Sequence, residues 1–281
     1  MPIYEQTYRR YEARAPLRTV RFWPITREAL RLVLVRRAFL GLLLIGWAQF
    51  FIRVVHVYVV TRFPEAGRVL PIDGRMFGQF LGIQTVFVLF ISIFGGAGLI
   101  ASDLRTGAIL VYLSRPLTRR DYVVGKLGVL LVLNLSVTLV PGLLLYLIAL
   151  ALAPEMFAKW ALAWIAPAIV LHSLVLSLVM SLLTLAVSSL SRSARVAGIG
   201  FFGLVFGLEV LRGVLRSLYD RPEATLISVQ ADLQSLGNAL FGITDRALSL
   251  PWAYPAAVLA AVALGCLAVL RARVRAVEVV Q

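Results

Sequence analysis

Long apolar runs alternate with short, mostly basic connections along this chain. Six stretches, 38–60, 76–100, 127–150, 162–188, 197–218 and 252–270, hold the roughly 20 mostly apolar residues that a membrane-crossing helix requires. The pattern predicts six transmembrane helices, which places both termini on one side. The fifth run carries Glu209, Arg212 and Arg216 in its second half, and a charge at mid-membrane costs roughly 2.5–3.5 kcal/mol on insertion scales.

Two shorter segments have a helical period without the length to span. In TREALRLVLVRR, residues 26–37, Arg27, Glu28 and Arg31 fall on one side and Leu30, Val33 and Leu34 on another, after RFWP with its aromatic Phe22 and Trp23. This suits a helix lying in the headgroup layer. Leu226, Val229, Leu233, Leu236 and Leu240 also recur at helical spacing, with Gln230, Asp232 and Gln234 off that stripe. They predict an amphipathic helix within the 219–250 connection. The expected organisation is an N-terminal segment 1–37 with an interfacial helix, a six-span domain 38–270 with a connecting loop 101–126, and a tail 271–281.

Composition agrees with the pattern. The 281 residues are 60% hydrophobic and only 15% charged, where a soluble domain carries roughly 25%; mean hydropathy is +0.89. The net charge of +14 is spread between apolar runs rather than gathered on one solvated face, so it points to membrane orientation and away from nucleic acid. Lys and Arg divide nineteen to eight. One side holds nine arginines before residue 38, five basic residues in 101–126, then Arg192, Arg195, Arg271, Arg273 and Arg275. The other holds Arg62, Arg68, Arg75, Lys159, Arg212, Arg216, Arg221 and Arg246, while Arg53 lies inside the first run. The richer side is expected to be cytoplasmic, in a cell's inner membrane. The arginine-rich start has no small-residue cleavage site behind a short apolar core, so an uncleaved anchor is expected.

Little points to catalysis. Gly125 and Lys126 have Arg120 and Leu127 where a phosphate-binding loop requires Gly and Ser or Thr. Two histidines, His56 and His172, stand outside any His-Glu-x-x-His pattern. A hydrolase pairing His172 with a serine lacks a nucleophile elbow. The single Cys266 forms no intramolecular disulfide. Polar residues inside spans are the remaining candidates. Ser173, Ser177, Ser181, Thr184 and Ser188 fall on one face of the fourth span, either as small residues for close packing or as a wall of a transport path together with Glu209. Gly203 and Gly207 form a small-residue pair in the fifth. Glu209 with Arg212, and Arg53 with His56, are three apart and face either an inner cavity or the interface.

The most distinctive stretch is ASDLRTGAILVYLSRPLTRRDYVVGKL, residues 101–127, with five basic residues, two acids and a proline between apolar runs. Apolar spacing at Ile109, Leu110 and Leu113 suggests a helix that Pro116 ends or bends. Thr118 can cap a second helix, with Asp121 favourable near its start. The residues alone leave two readings: a loop held inside by its arginines, or a docking protrusion.

The order of an acid, Arg, Gly, an apolar helix and then LSRPLTRRDYVVGK resembles the cytoplasmic loop of ATP-binding-cassette (ABC) transporter permeases of the type-2 exporter family. That family usually has Glu at the position of Asp103 and often Thr at that of Ala108. The resemblance covers essentially the whole chain. It implies an all-α polytopic fold with an N-terminal interfacial helix, six spans, a cytoplasmic coupling helix and small outer helices before the last span. It implies a transport subunit: two permease chains pair, as a homodimer or pseudo-dimer, and each meets a separate cytoplasmic ATPase that binds ATP and Mg, with no cofactor on this chain. Asp103, Arg105, Gly107, Arg115, Pro116, Arg119, Arg120 and Lys126 are then the residues of the ATPase contact. Asp103 and Arg105 would hold the base of the protrusion. The rival readings are a complex in which the ATPase uses the permease as a mechanical lever on another envelope protein, and an integral-membrane enzyme.

Overall fold

A computed structural model of the chain describes residues 22–63, 65, 67, 70–109, 118–152, 163–219, 222–243 and 250–274. Among these residues the regular structure is helical. In chain order the helices are α1 (Trp23–Leu34), α2 (Arg37–Arg62), α3 (Gly74–Ile91), a π segment (Ser92–Gly96), α4 (Gly98–Thr106), α5 (Arg119–Val137) and α6 (Leu139–Leu152). They are followed by α7 (Ile165–Leu190), α8 (Ala194–Tyr219), a 3-10 turn (Pro222–Ile227), α9 (Val229–Leu240) and α10 (Ala253–Arg273). Six units are long and apolar enough to cross a membrane: α2, α3 through α4, α5 through α6, α7, α8 and α10. They coincide with the six apolar runs, and the chain is a multi-pass, all-α membrane protein.

Local chemistry accounts for where the helices begin and end. Pro24 stands in the first turn of α1, where a missing N–H costs nothing. Asp73 caps α3 by accepting from the Met76 N–H at 3.0 Å. Gly107, at φ 71°, closes α4 in the left-handed conformation that glycine adopts without steric penalty. Thr118 and Asp121 open α5 with a reciprocal capping box. Between α5 and α6, Pro141 cannot donate to the carbonyl one turn earlier, and the helix breaks at Thr138.

The centre of the bundle is α7, which packs against α3, α4, α5, α6, α8, α9 and α10. Its most apolar window is 72% buried, against 17% for α2 and 22% for α8 and α10, so those three present their outer faces to lipid or to another chain. One apolar cluster joins α4, α5, α7 and α10, and a second fills the space between α2, α3, α6 and the start of α7.

Within the second span, the Ala97 N–H reaches back five residues to Ser92 O, the mark of a π turn, which is frequent at functional sites. The widened turn leaves backbone groups of the following helix without partners of their own. Ser188 of α7 takes them up: its hydroxyl donates to Ala97 O at 2.6 Å and accepts from the N–H groups of Ile100 and Ala101 at 3.2 and 3.0 Å. A Cβ on Gly96 would lie 2.7 Å from Thr184 Cγ2, so glycine is required for this approach.

The amphipathic helix expected within the 219–250 connection is α9, with one difference from the expected pattern. Gln234 is exposed, but Asp232 is 1% exposed with neither carboxylate oxygen hydrogen-bonded. The expected polar face is narrowed because α9 is packed by α3, α7, α8 and α10 together. Burial pushes the Asp232 carboxyl up to about 7.

Candidate functional site

The 101–126 connection is mounted on a compact polar clamp. Asp103, in the last turns of α4, meets the Lys126 ammonium at 2.8 Å and accepts a hydrogen bond from the Tyr122 hydroxyl at 2.8 Å, both through Oδ2. Tyr122 and Lys126 are one turn apart on α5 and therefore share a face. The Lys126 and Asp103 side chains are only 6% and 16% exposed, so removing one partner of this pair would cost roughly 3–5 kcal/mol. Of the two residues expected to hold the base of the protrusion, Asp103 sits in this clamp, whereas Arg105 lies two residues on, on a different face of α4, and is exposed. Ile109 is buried in the same cluster as Tyr122, which anchors the first residues beyond Gly107.

A third element braces the clamp. The Thr26 hydroxyl of α1 donates to Gly125 O at 2.8 Å, and Gly125 and Gly128 admit α1 against α5. A Cβ on Gly125 would come within 3.0 Å of Ile25 and 3.1 Å of Phe22 O. The glycine of the Gly-Lys pair thus serves helix contact, and the lysine serves the ion pair.

The other described basic residues of the connection, Arg105, Arg119 and Arg120, are exposed. Arg119 and Arg120 are exposed in the first turn of α5, and with Val123, Leu267 and Arg271 they line a groove of about 440 Å³ between α5 and α10. From the sequence, Arg271 reads as topogenic; the fold brings it beside the loop arginines. Arg115 and Pro116 lie outside the described residues, as do Leu110 and Leu113.

The polar stripe of α7 lies inside the chain. Ser173, Ser177, Ser181, Thr184 and Ser188 are all at 0% exposure. Ser181 accepts from Asn134 of α5 at 3.2 Å, Thr184 donates to its own Met180 O, and Ser188 serves the π break. The Ser173 and Ser177 hydroxyls are buried without a hydrogen-bond partner among the described residues. Glu209 is not beside it: it pairs with Arg212 and accepts from the Ser228 hydroxyl at 2.6 Å, which joins α8 to the cap of α9. A Cβ on Gly203 or Gly207 would meet nothing within 4 Å among the described residues. Arg53 and His56 face two adjoining cavities at the end of the bundle opposite α1.

From the sequence, neither Tyr122 nor Thr26 is expected in this site, and Arg271 is expected as no more than topogenic. The spacing of Tyr122 from Lys126 was a usable signal, whereas the contacts of Thr26 and Arg271 depend on how distant helices pack.

A family profile for ABC-2 family transporter proteins matches residues 12–270. No curated protein matches the chain. With six spans, a matched stretch covering nearly all of them, and the family's loop motif carried at its foot by the Asp103, Tyr122 and Lys126 clamp, the chain belongs to the ABC-2 family of transporter proteins.

Proposed function

We propose that this chain is the permease subunit of an ATP-driven exporter, seated in the inner membrane with both termini cytoplasmic and paired with a second permease chain. Separate ABC ATPase subunits bind ATP and Mg, and their closure moves the 101–126 connection. The observation that carries this reading is the mounting of that connection. Its two feet, α4 and α5, belong to different spans, are locked together by Asp103, Tyr122 and Lys126, and both pack on the central α7. A push on the exposed Arg105, Arg119 and Arg120 is therefore delivered to the core of the bundle. The basic groove between α5 and α10 offers charge for acids on the ATPase, and losing one partner of such an interfacial pair costs ~2–5 kcal/mol.

The test is charge reversal of Arg119 and Arg120 in cells that supply the native ATPase. The double variant should insert and fold but retain less ATPase on purification, by tenfold or more for a loss of about 1.4 kcal/mol. Reversal of Arg271 should act in the same direction, because it lines the same groove, and reversal of Arg273 should not. Undiminished co-purification and transport in the double variant would leave the connection as a charged tether only.

A further inference from the structure

At the end of the bundle opposite α1, two open cavities of about 580 and 780 Å³ share Arg53, Arg75, Gln79 and Ile243 as lining residues. We infer that this joined vestibule binds the anionic head, a phosphate or carboxylate, of an amphiphile whose chain lies in the adjacent membrane leaflet.

The charge is arranged for it. Arg53 lies in a span, its Nε is buried and makes no hydrogen bond among the described residues, and the one side-chain hydrogen bond it makes there is a long one of 3.4 Å to the neutral Gln79 amide. Among the described residues neither Arg53 nor Arg75 has a carboxylate within ion-pair distance. The only acid in either lining, Asp73, already caps α3. A guanidinium held in a span without a counter-charge is costly, and a phosphate or carboxylate presented to it bidentately offsets that cost. A second group lacks a partner: His172, 4% exposed, lines the first cavity, and its Nδ1 makes no hydrogen bond. Gln230, Gln234 and Asn238 line the α9 side at helical spacing, so this wall is polar without adding negative charge.

The apolar part follows from α3. Arg75, Gln79, Ile83 and Val86 all line the first cavity and are exposed, running from charged to neutral polar to aliphatic. The same line continues to the exposed, stacked Phe90 and Phe94. From Arg75 to Val86 the helix rises about 16 Å, about half of a ~30 Å hydrocarbon core, which is the depth of one leaflet. Gly82, within this stripe, has open space where a side chain would begin, leaving room for a chain against the backbone. A free anion would use only the mouth of this slot; an amphiphile uses its whole length.

That the occupant is cargo rests on the permease reading, but binding does not, so the two fail separately. The full chain in nonionic detergent, without ATPase, is titrated calorimetrically with short-chain phosphatidic acid, phosphatidylcholine of equal chain length, and inorganic phosphate. Phosphatidic acid should saturate the chain, phosphatidylcholine should bind about tenfold more weakly or worse, and phosphate should not displace the lipid. Arg75→Gln, at an exposed site, and Arg53→Gln should each weaken phosphatidic acid about tenfold. Gly82→Leu should weaken it by blocking the slot with the charges intact, and Arg62→Gln, outside both cavities, should not. Equal binding of the two lipids, displacement by phosphate, or undiminished binding by both Arg75→Gln and Gly82→Leu would overturn the inference. So would cross-linking of two copies through Ile83→Cys in a chain that binds no lipid, since a second copy would then fill the slot.

Discussion

Asp103 shows how one residue can be legible in type and illegible in partner. Its place before Arg, Gly and an apolar run marks the foot of the connection, but only the packing of α4 on α5 puts its carboxylate against Lys126 and Tyr122. Asp232 is the opposite case, because its position on α9 suggests solvent and the bundle buries it. Its carboxyl is raised in the fold to about 7 from an unfolded value near 4. The folded state then holds the proton over a window where the unfolded state has released it, and stability falls as pH rises from about 4 to about 7. Asp232→Asn should flatten this dependence. Thermal unfolding of the solubilised chain at pH 5 and pH 8 should show the parent losing more than the variant, by a few kcal/mol at most. An unchanged pH dependence would mean that the carboxylate finds solvent or a cation.

At the scale of elements, the α3 to α4 span depends on a side chain from another helix. The π turn at Ser92–Gly96 leaves Ala97 O and the Ile100 and Ala101 N–H groups to Ser188, and buried backbone groups without partners cost about 1–3 kcal/mol each. Ser188→Ala should therefore destabilise the solubilised chain by about 3 kcal/mol. Ser189→Ala, which loses only a bond to its own Ala186 O, should cost less than about 1 kcal/mol. Equal effects in thermal unfolding would show that the π turn satisfies itself. The helical spacing of the α7 hydroxyls was readable in the sequence, and so were both of their possible uses. In the fold the Ser181 and Ser188 hydroxyls meet partners on other helices, whereas those of Ser173 and Ser177 meet none among the described residues. Those partners, Asn134, Ala97 and the α4 amides, come from stretches of chain far away in sequence.

For the molecule as a whole, the basic residues make a prediction about sidedness. The end bearing α1, the 101–126 connection and the close of α10 should face the cytoplasm, and α9 should face outside. In a Cys266→Ala background, an impermeant thiol reagent added to intact cells should modify Ala239→Cys and spare Thr106→Cys, both at exposed positions. The reverse labelling would invert the molecule and remove the connection from the reach of a cytoplasmic ATPase.

Read alone, the sequence sets the number and approximate positions of the spans, the two shorter amphipathic helices, the capping of α5 by Thr118 and Asp121, and the motif of the connection. Each depends on residues close along the chain: apolar length against bilayer thickness, helical period, and side chains that reach their own backbone. It took the tertiary structure to show that Lys126 and Tyr122 meet Asp103, that the α7 hydroxyls turn inward, that Arg271 joins Arg119 and Arg120, and that Arg53 and Arg75 open onto one vestibule. These contacts join residues on different helices. A uniformly apolar helix carries little information about its rotation, because most of its faces are equally soluble in lipid, so close packing and the need to satisfy buried polar groups set it instead.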